Sequence, residues 1–369
     1  MSWKEYELGE LLLYEQPTPY IVESTDYNDK YNTPVLTAGK TFILGYTNEI
    51  NGIYTDLPVI IFDDFTTASR YVNFEFKVKS SAMKILTPNV EIVLPKFIYY
   101  RMQIIQFDCS THKRYWIQKY SKIKVKIPPL EDQHRIVTRI EELFSQLDSG
   151  VETLKKTKEQ LKVYRQAVLK EAFESLHSTT TFREIADSRL GKMLDKSKNT
   201  GIPRKYLRNI NVRWFSFDLS DLLEMKIEES EIEKYSIQKG DLVICEGGEP
   251  ARCAVWESAE LIFYQKALHR VRFNDMTNPK FYMYYLWFSA QTGKLTKYFT
   301  GTGIKHLTGQ SLEKVPVPKA DYDMQNIIVK EIESRLSVCD SIEKTIDTAL
   351  QEAEALRQSI LKQAFEGGL

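Results

Sequence analysis

The first residues to weigh for chemistry are Asp64 and the triplet Glu75-Phe76-Lys77. An aspartate followed about ten residues later by Glu-x-Lys is a donor set that can hold Mg²⁺ and position water in a nuclease. The pattern is short and common, however. Val72, Phe74, Phe76 and Val78 alternate through Tyr71–Val78 as the buried phase of a strand, which puts Glu75 and Lys77 on the exposed phase.

Other reactive side chains give less. The 4 cysteines (Cys109, Cys245, Cys253, Cys339) form no CxxC pair, so free thiols in a reducing compartment are expected. Cys245 and Cys253 flank Gly247-Gly248, but no His or Cys completes a zinc set, and the 5 histidines are scattered singly. There is no Gly-x-x-x-x-Gly-Lys-Ser/Thr loop for a nucleotide, and Gly301-Thr302-Gly303 lacks the third glycine of a dinucleotide fingerprint. The Asn/Asp-Pro-Pro-Tyr/Phe string of amino-methyltransferases is absent; the nearest stretch is Ile127-Pro128-Pro129-Leu130. No catalytic residue, metal site or cofactor is therefore expected.

Composition sets the frame. A chain of 369 residues, 43% hydrophobic and 27% charged, is long enough for two or three globular domains. Runs such as Val59–Phe62 are too short to cross a bilayer, and the first residues lack a signal-peptide apolar core, so a cytoplasmic protein is expected. With 50 basic and 50 acidic residues the net charge is zero, which argues against a simple cationic surface. Locally the charge is uneven. Cys109–Lys126 holds Lys113, Arg114, Lys119, Lys122, Lys124 and Lys126 and no acid, and Arg189–Arg213 is nearly as one-sided.

The elements that must position these residues come in duplicate. Gln133–Glu174 lies over Gln325–Glu366 at a constant offset of 192, with 16 of 42 pairs identical. Neither stretch contains proline. In the first, Leu147, Val151, Leu154, Lys158, Leu161, Arg165, Val168 and Ala172 follow steps of four and three; in the second, Ile328, Ile332, Leu336, Cys339, Ile346, Ala353, Leu356 and Ile360 form the seam. Each predicts a helix of roughly 60 Å at about 1.5 Å per residue. Two such seams are expected to pack on each other, antiparallel and with pseudo-two-fold symmetry. The lobes before them repeat more faintly. Tyr6–Leu11 matches Phe182–Asp187, Pro58–Asp64 matches Gly240–Glu246, and Pro95–Tyr100 matches Pro279–Tyr284. Each lobe ends in a proline pair, Pro128-Pro129 and Pro316-Val317-Pro318. The expected fold class is α+β: two globular domains separated by two long antiparallel coiled-coil helices, an internal pseudo-two-fold repeat. The expected boundaries are 1–129, 130–176, 177–318 and 319–369.

The order lobe, Pro-Pro-Leu-Glu-x-Gln, long helix ending Arg-Gln-x-hydrophobic-Leu-Lys-x-Ala-Phe-Glu, then the same again, resembles the specificity (S) subunit of type I restriction–modification systems of bacteria and archaea. Thr111–Trp116, Lys239–Leu242 and Gly301–Thr308 add to the resemblance, which covers essentially the whole chain. It implies two target recognition domains, each reading half of a split, asymmetric DNA site. It also implies helices that space the half-sites and dock two methyltransferase (M) subunits, with restriction (R) subunits joining the complex. Adenine-N6 methylation and cleavage would belong to those partners. The second proline motif departs from the pattern: Pro316–Gln325 is two residues longer than the first and lacks Leu-Glu.

Base edges are read by Arg, Asn and Gln, and phosphates by Lys, Arg and hydroxyls. In the first lobe these are expected to be Lys40, Thr66, Arg70, Lys84 and the cluster Thr111, His112, Lys113, Arg114 and Tyr115. In the second they are Lys192, Lys196, Lys198, Arg204, Tyr206, Arg208, Asn209, Asn211 and Arg213, then Arg252, Lys266, His269, Arg270, Lys305 and His306. Core packing suits Tyr206, Trp116 and Trp214 better than base contact. Two alternatives remain open: a self-contained sequence-specific nuclease, and a coiled-coil scaffold with two protein-binding lobes.

Overall fold

The structure, a computed structural model, describes residues 3–39, 41–110, 114–195, 197, 199–274 and 276–366. The two repeated stretches are single helices of 45 residues each, Leu130–Glu174 and Tyr322–Glu366. The chain divides into two compact units, Met1–Lys155 with Asp347–Leu369, and Lys156–Ile346. Each unit therefore takes one lobe, the first part of one long helix and the last part of the other. No helix among the described residues is long and apolar enough to cross a membrane.

In the first unit the chain runs β1 (Lys4–Glu7), the single turn α1 (Leu8–Leu11), β2 (Leu12–Glu15), β3 (Thr33–Leu36), β4 (Ile43–Thr47), β5 (Val59–Asp63), β6 (Ser69–Val72), β7 (Lys77–Val78), β8 (Met83–Pro88), α2 (Pro95–Met102), β9 (Lys124–Ile127) and α3 (Leu130–Glu174). β1 pairs with β9, a second sheet has the order β2-β8-β5-β6, and a third the order β4-β3-β7. The expected strand Tyr71–Val78 is thus two short strands in different sheets. The main core joins α1, α2, Trp116 and Tyr120 to Ile136, Ile140 and Phe144 of α3 and to Ile360, Leu361 and Ala364 near the C-terminus. Burying such apolar side chains stabilises by about 1.5–3 kcal/mol each.

The second unit repeats this plan with β10 (Thr179–Thr181), α4 (Phe182–Ile185), β11 (Ala186–Leu190), β12 (Ile202–Leu207), β13 (Val212–Arg213), β14 (Ser216–Phe217), β15 (Leu223–Ile227), α5 (Ile232–Tyr235), β16 (Ser236–Ile237), β17 (Leu242–Cys245), β18 (Cys253–Val255), β19 (Ile262–Tyr264), β20 (Leu268–Phe273), α6 (Pro279–Gln291), α7 (Gly309–Glu313), β21 (Pro316–Pro318) and α8 (Tyr322–Glu366). β10 pairs with β21, and β11-β20-β17-β18 has the same connectivity as β2-β8-β5-β6. The third sheet, β15-β12-β19-β16, is larger than its counterpart.

The helix ends show how the units are closed. Phe173 of α3 packs edge-on against Phe281 of α6, and the equivalent Phe365 of α8 does the same against Phe97 of α2. In the second unit Arg165 binds Asp340 at 2.7 Å while Arg335 binds Glu171, an antiparallel register. In the first unit the equivalent pair is Arg357 with Asp148. The seam residues of α3 are all at least partly buried; in α8, Leu356 departs and is half exposed. The extra residues before α8 supply its start: Asp321 Oδ1 accepts from Met324 N at 2.8 Å, an N-cap.

Candidate nucleic-acid interface

Seven of the residues expected to touch DNA are buried, and each has an internal use that corrects that expectation. The Lys84 ammonium donates to Gln16 Oε1 at 3.0 Å and Ser81 O at 3.1 Å and faces Asp64 at 3.6 Å; burial holds its pKa below the ordinary lysine value. Tyr115 packs edge-on against Phe107. Lys192 binds Glu231, and Tyr206 sits among Met225, Ile227 and Phe263. Asn211 donates to Asp218 O and Asp221 O, which folds the loop after β12. His269 Nε2 lies 2.9 Å from Leu307 O, and Arg270 binds Asp187 at 2.8 Å. Charges held this way cost too much to desolvate without their partners, so they are fixed inside the lobes. Lys40, Thr111, His112, Lys113, Lys196 and Lys198 lie outside the described residues.

The nuclease constellation separates. Asp64 Oδ1 accepts from Tyr115 N at 3.0 Å and Trp116 N at 2.7 Å. Lys77 is buried rather than exposed, bound to Glu49 at 2.8 Å and to Asn51 O. Asp64 is thus an anchor for the basic segment that follows Cys109.

That anchor has a counterpart, and the pair defines the tip of each lobe. In the first lobe Tyr115 N donates to Asp64 O at 3.0 Å, tying Tyr115 to the turn after β5. In the second, Leu307 N donates to Glu246 O at 2.6 Å, tying the 300–307 segment to the turn after β17. The first tip presents Thr66 and Arg114 as exposed side chains. The turn is held by Asp63 Oδ1, which accepts from Phe65 N and Thr66 N at 2.8 and 3.0 Å.

The second tip gathers expected residues from three separated segments. Asn209 Nδ2 donates to Gly247 O at 2.6 Å, and Arg252 donates to Asn209 Oδ1 at 3.1 Å. Gly247 bridges His306 strand-to-strand, and a Cβ there would fall 2.8 Å from His306 Nδ1, so a side chain at 247 would have to displace the imidazole ring. Lys305 is exposed beside it, its ammonium on Gly301 O at 3.1 Å. Glu246 N donates to Ala267 O, which brings exposed Lys266 to the same end. Glu249, which binds both Arg252 and Trp214 Nε1, was not expected from residue types. A carboxylate there orients the Arg252 guanidinium.

Other expected residues stand apart. Arg208 binds Asp221 at 2.6 Å, exposed Arg213 lies 3.7 Å from Asp218, and Arg204 covers the Phe263 ring on the β12 sheet. Arg70 lines a groove against α3 and α8 instead of the tip.

Comparison with known proteins matches this architecture. The family model described as type I restriction modification DNA specificity domain matches residues 1–163 and again 180–352. The EcoR124I/EcoR124II specificity subunit of Escherichia coli is 46% identical over 174 residues, covering 44% of this chain and 43% of that protein. The EcoKI specificity subunit of Escherichia coli strain K12 is 27% identical over 271 residues, covering 68% and 58%. The chain thus spans about half the length of these curated relatives. Among solved structures, one reported as the structural basis of complex assembly and conformational transition of the type I R-M system superposes with a TM-score of 0.72 at 17% identity, covering 100% of this chain and 98% of that one. The HsdS subunit of Thermoanaerobacter tengcongensis superposes with a TM-score of 0.62 at 16% identity, covering 100% and 97%. With the family model matched once on each lobe and its following helix, the chain belongs to the family of type I restriction–modification DNA specificity proteins.

Proposed function

We propose that this chain is the DNA-reading, non-catalytic subunit of a type I restriction–modification complex that works in the cytoplasm. The observation that carries the reading is the duplicated tip: the same backbone tie, Tyr115 to Asp64 and Leu307 to Glu246, holds two loops of different sequence. One frame with two different surfaces suits two different half-sites of one asymmetric sequence. Residues 1–129 and 177–318 would be the two target recognition domains, with 130–176 and 319–369 as the spacer and docking helices. Thr66 and Arg114 would contact one half-site, and Asn209, Arg252, Lys266, Lys305 and His306 the other. Two methyltransferase subunits and the restriction subunits would supply the chemistry. The curated relatives bear the name of restriction enzyme specificity subunits, which supports that division of labour.

Long-read methylation mapping tests the assignment in the assembled complex. The wild-type complex is expected to methylate a split, asymmetric sequence. Replacing Lys266 and Lys305 by alanine is expected to lower methylation through one half-site, and replacing Thr66 and Arg114 through the other. An unsplit motif, or equal effects of both pairs on one half, sinks the reading.

A further inference from the structure

The last helix carries an apolar face that its repeat partner lacks. On α8, Met324, Ile327, Val338 and Ile342 are 45, 62, 57 and 40% exposed. At 3.6 residues per turn they fall within roughly 60° of arc, one stripe along about 27 Å of helix. Val329, Ile332 and Leu336 of the same helix turn into the core of the second unit, which leaves the stripe on the side away from the lobe.

Shifted back by 192, the same four positions on α3 are Asp132, Arg135, Gln146 and Gly150. Single exposed apolar residues are ordinary on a protein surface, but several aligned on one face mark a contact. Two identical methyltransferase subunits docking on the repeated helices would use a surface that both helices carry. The stripe belongs to one helix only, so it serves a different contact.

The stripe is complementary to itself. Laid antiparallel on α8 of a second copy with Met324 facing Ile342, it sets Ile327 opposite Val338 to within one residue and Glu331 opposite Arg335. Each chain supplies both members of every pair, so a two-fold arrangement makes each contact twice. Apolar residues meet at both ends and opposite charges at the waist. Arg335 uses its Nε on Glu331 at 2.6 Å and one terminal nitrogen on Glu171 at 2.7 Å within its own chain. Its other terminal nitrogen has no partner among the described residues, and Glu331 is exposed.

We infer that α8 pairs with α8 of a second copy of this chain, antiparallel about a two-fold axis near residue 333, with Met324, Ile327, Val338 and Ile342 buried between them. The contact is a single helix pair, smaller than a standard protein interface of about 1,600 Å², so the association is reversible. Under the proposed function, such a pair holds two sets of DNA-reading lobes in one particle.

The test is sedimentation velocity of the full chain over a range of concentrations. The mass is expected to rise from one chain to two. Ile327→Asp with Val338→Asp is expected to weaken association at least about tenfold, with thermal melts matching wild type to show an intact fold. Glu331→Arg alone and Arg335→Glu alone are each expected to weaken self-association, because like charges then face each other twice. An equimolar mixture of these two variants is expected to recover the dimer, since each Arg then meets a Glu. Recovery on mixing reads the register itself, and a folding defect cannot produce it. A monomer throughout, a dimer indifferent to Ile327 and Val338, or charge variants that do not recover on mixing overturn the inference. So does a methyltransferase subunit that dissolves the dimer and itself fails to bind the Ile327→Asp, Val338→Asp chain, because the stripe is then its docking site.

Discussion

His269 was a DNA-contact candidate by residue type, yet the fold buries it and sets its Nε2 against Leu307 O at 2.9 Å. A donor is needed there, so the neutral Nε2–H tautomer fits. Burial lowers its pKa below the usual 6.5, outweighing the opposing effects of the Leu307 carbonyl and Glu246. Between that lowered value and 6.5 the unfolded chain binds a proton that the folded chain does not, so stability rises with pH through this window. The second lobe is therefore expected to lose stability as pH falls below 6.5. Thermal melts of wild type and His269→Gln at several pH values check this. The variant keeps a donor for Leu307 O and should show a flatter acid limb; an identical limb counts against it. Residue type alone pointed to Asn209, Arg252, Lys305 and His306, which do converge. It equally pointed to Lys84 and Arg270, because burial of a charged side chain depends on partners such as Asp64 and Asp187 that lie far off in sequence.

At the scale of elements, the starts of the long helices carry one device twice. Gln133 Oε1 accepts from Leu94 N at 2.8 Å while its Nε2 donates to Ile92 O at 2.9 Å and Pro128 O at 2.8 Å. Gln325 accepts from Asn278 N at 2.8 Å and donates to Ala320 O at 2.9 Å. Both are buried, and each ties its helix to the segment leading into the lobe helix. Replacing Gln133 by alanine leaves several buried groups unpaired and is expected to cost about 3 kcal/mol in the first unit. Gln325→Ala is expected to cost about 2 kcal/mol in the second. Denaturant titration measures both, and values under about 0.5 kcal/mol argue against the device. The glutamine pair was visible as an identity in the repeat. Its role was not, because its partners Leu94 and Asn278 belong to the lobes. The proline motif before α8 lacks the Leu-Glu of the first, and Asp321 starts that helix as its N-cap.

At the scale of the whole molecule, the proposed role of the two long helices as a ruler between half-sites gives its own prediction. Deleting one turn from both α3 and α8 is expected to change the tolerated spacer while leaving each half-site sequence unchanged, as read by methylation mapping. An altered half-site sinks the ruler. What the sequence by itself determined is the duplication, the two long helices and the family, because heptad spacing, absence of proline and sixteen identities in 42 pairs are local properties of the chain. The tertiary structure decided which charges are free to meet a ligand. Asp64 became an anchor rather than a metal ligand. Lys84 and Arg270 could be told from Arg114 and Lys305 only once the fold set Asp64 and Asp187 beside them. Charge acts through space, and the repeat alone does not say which side chains share it.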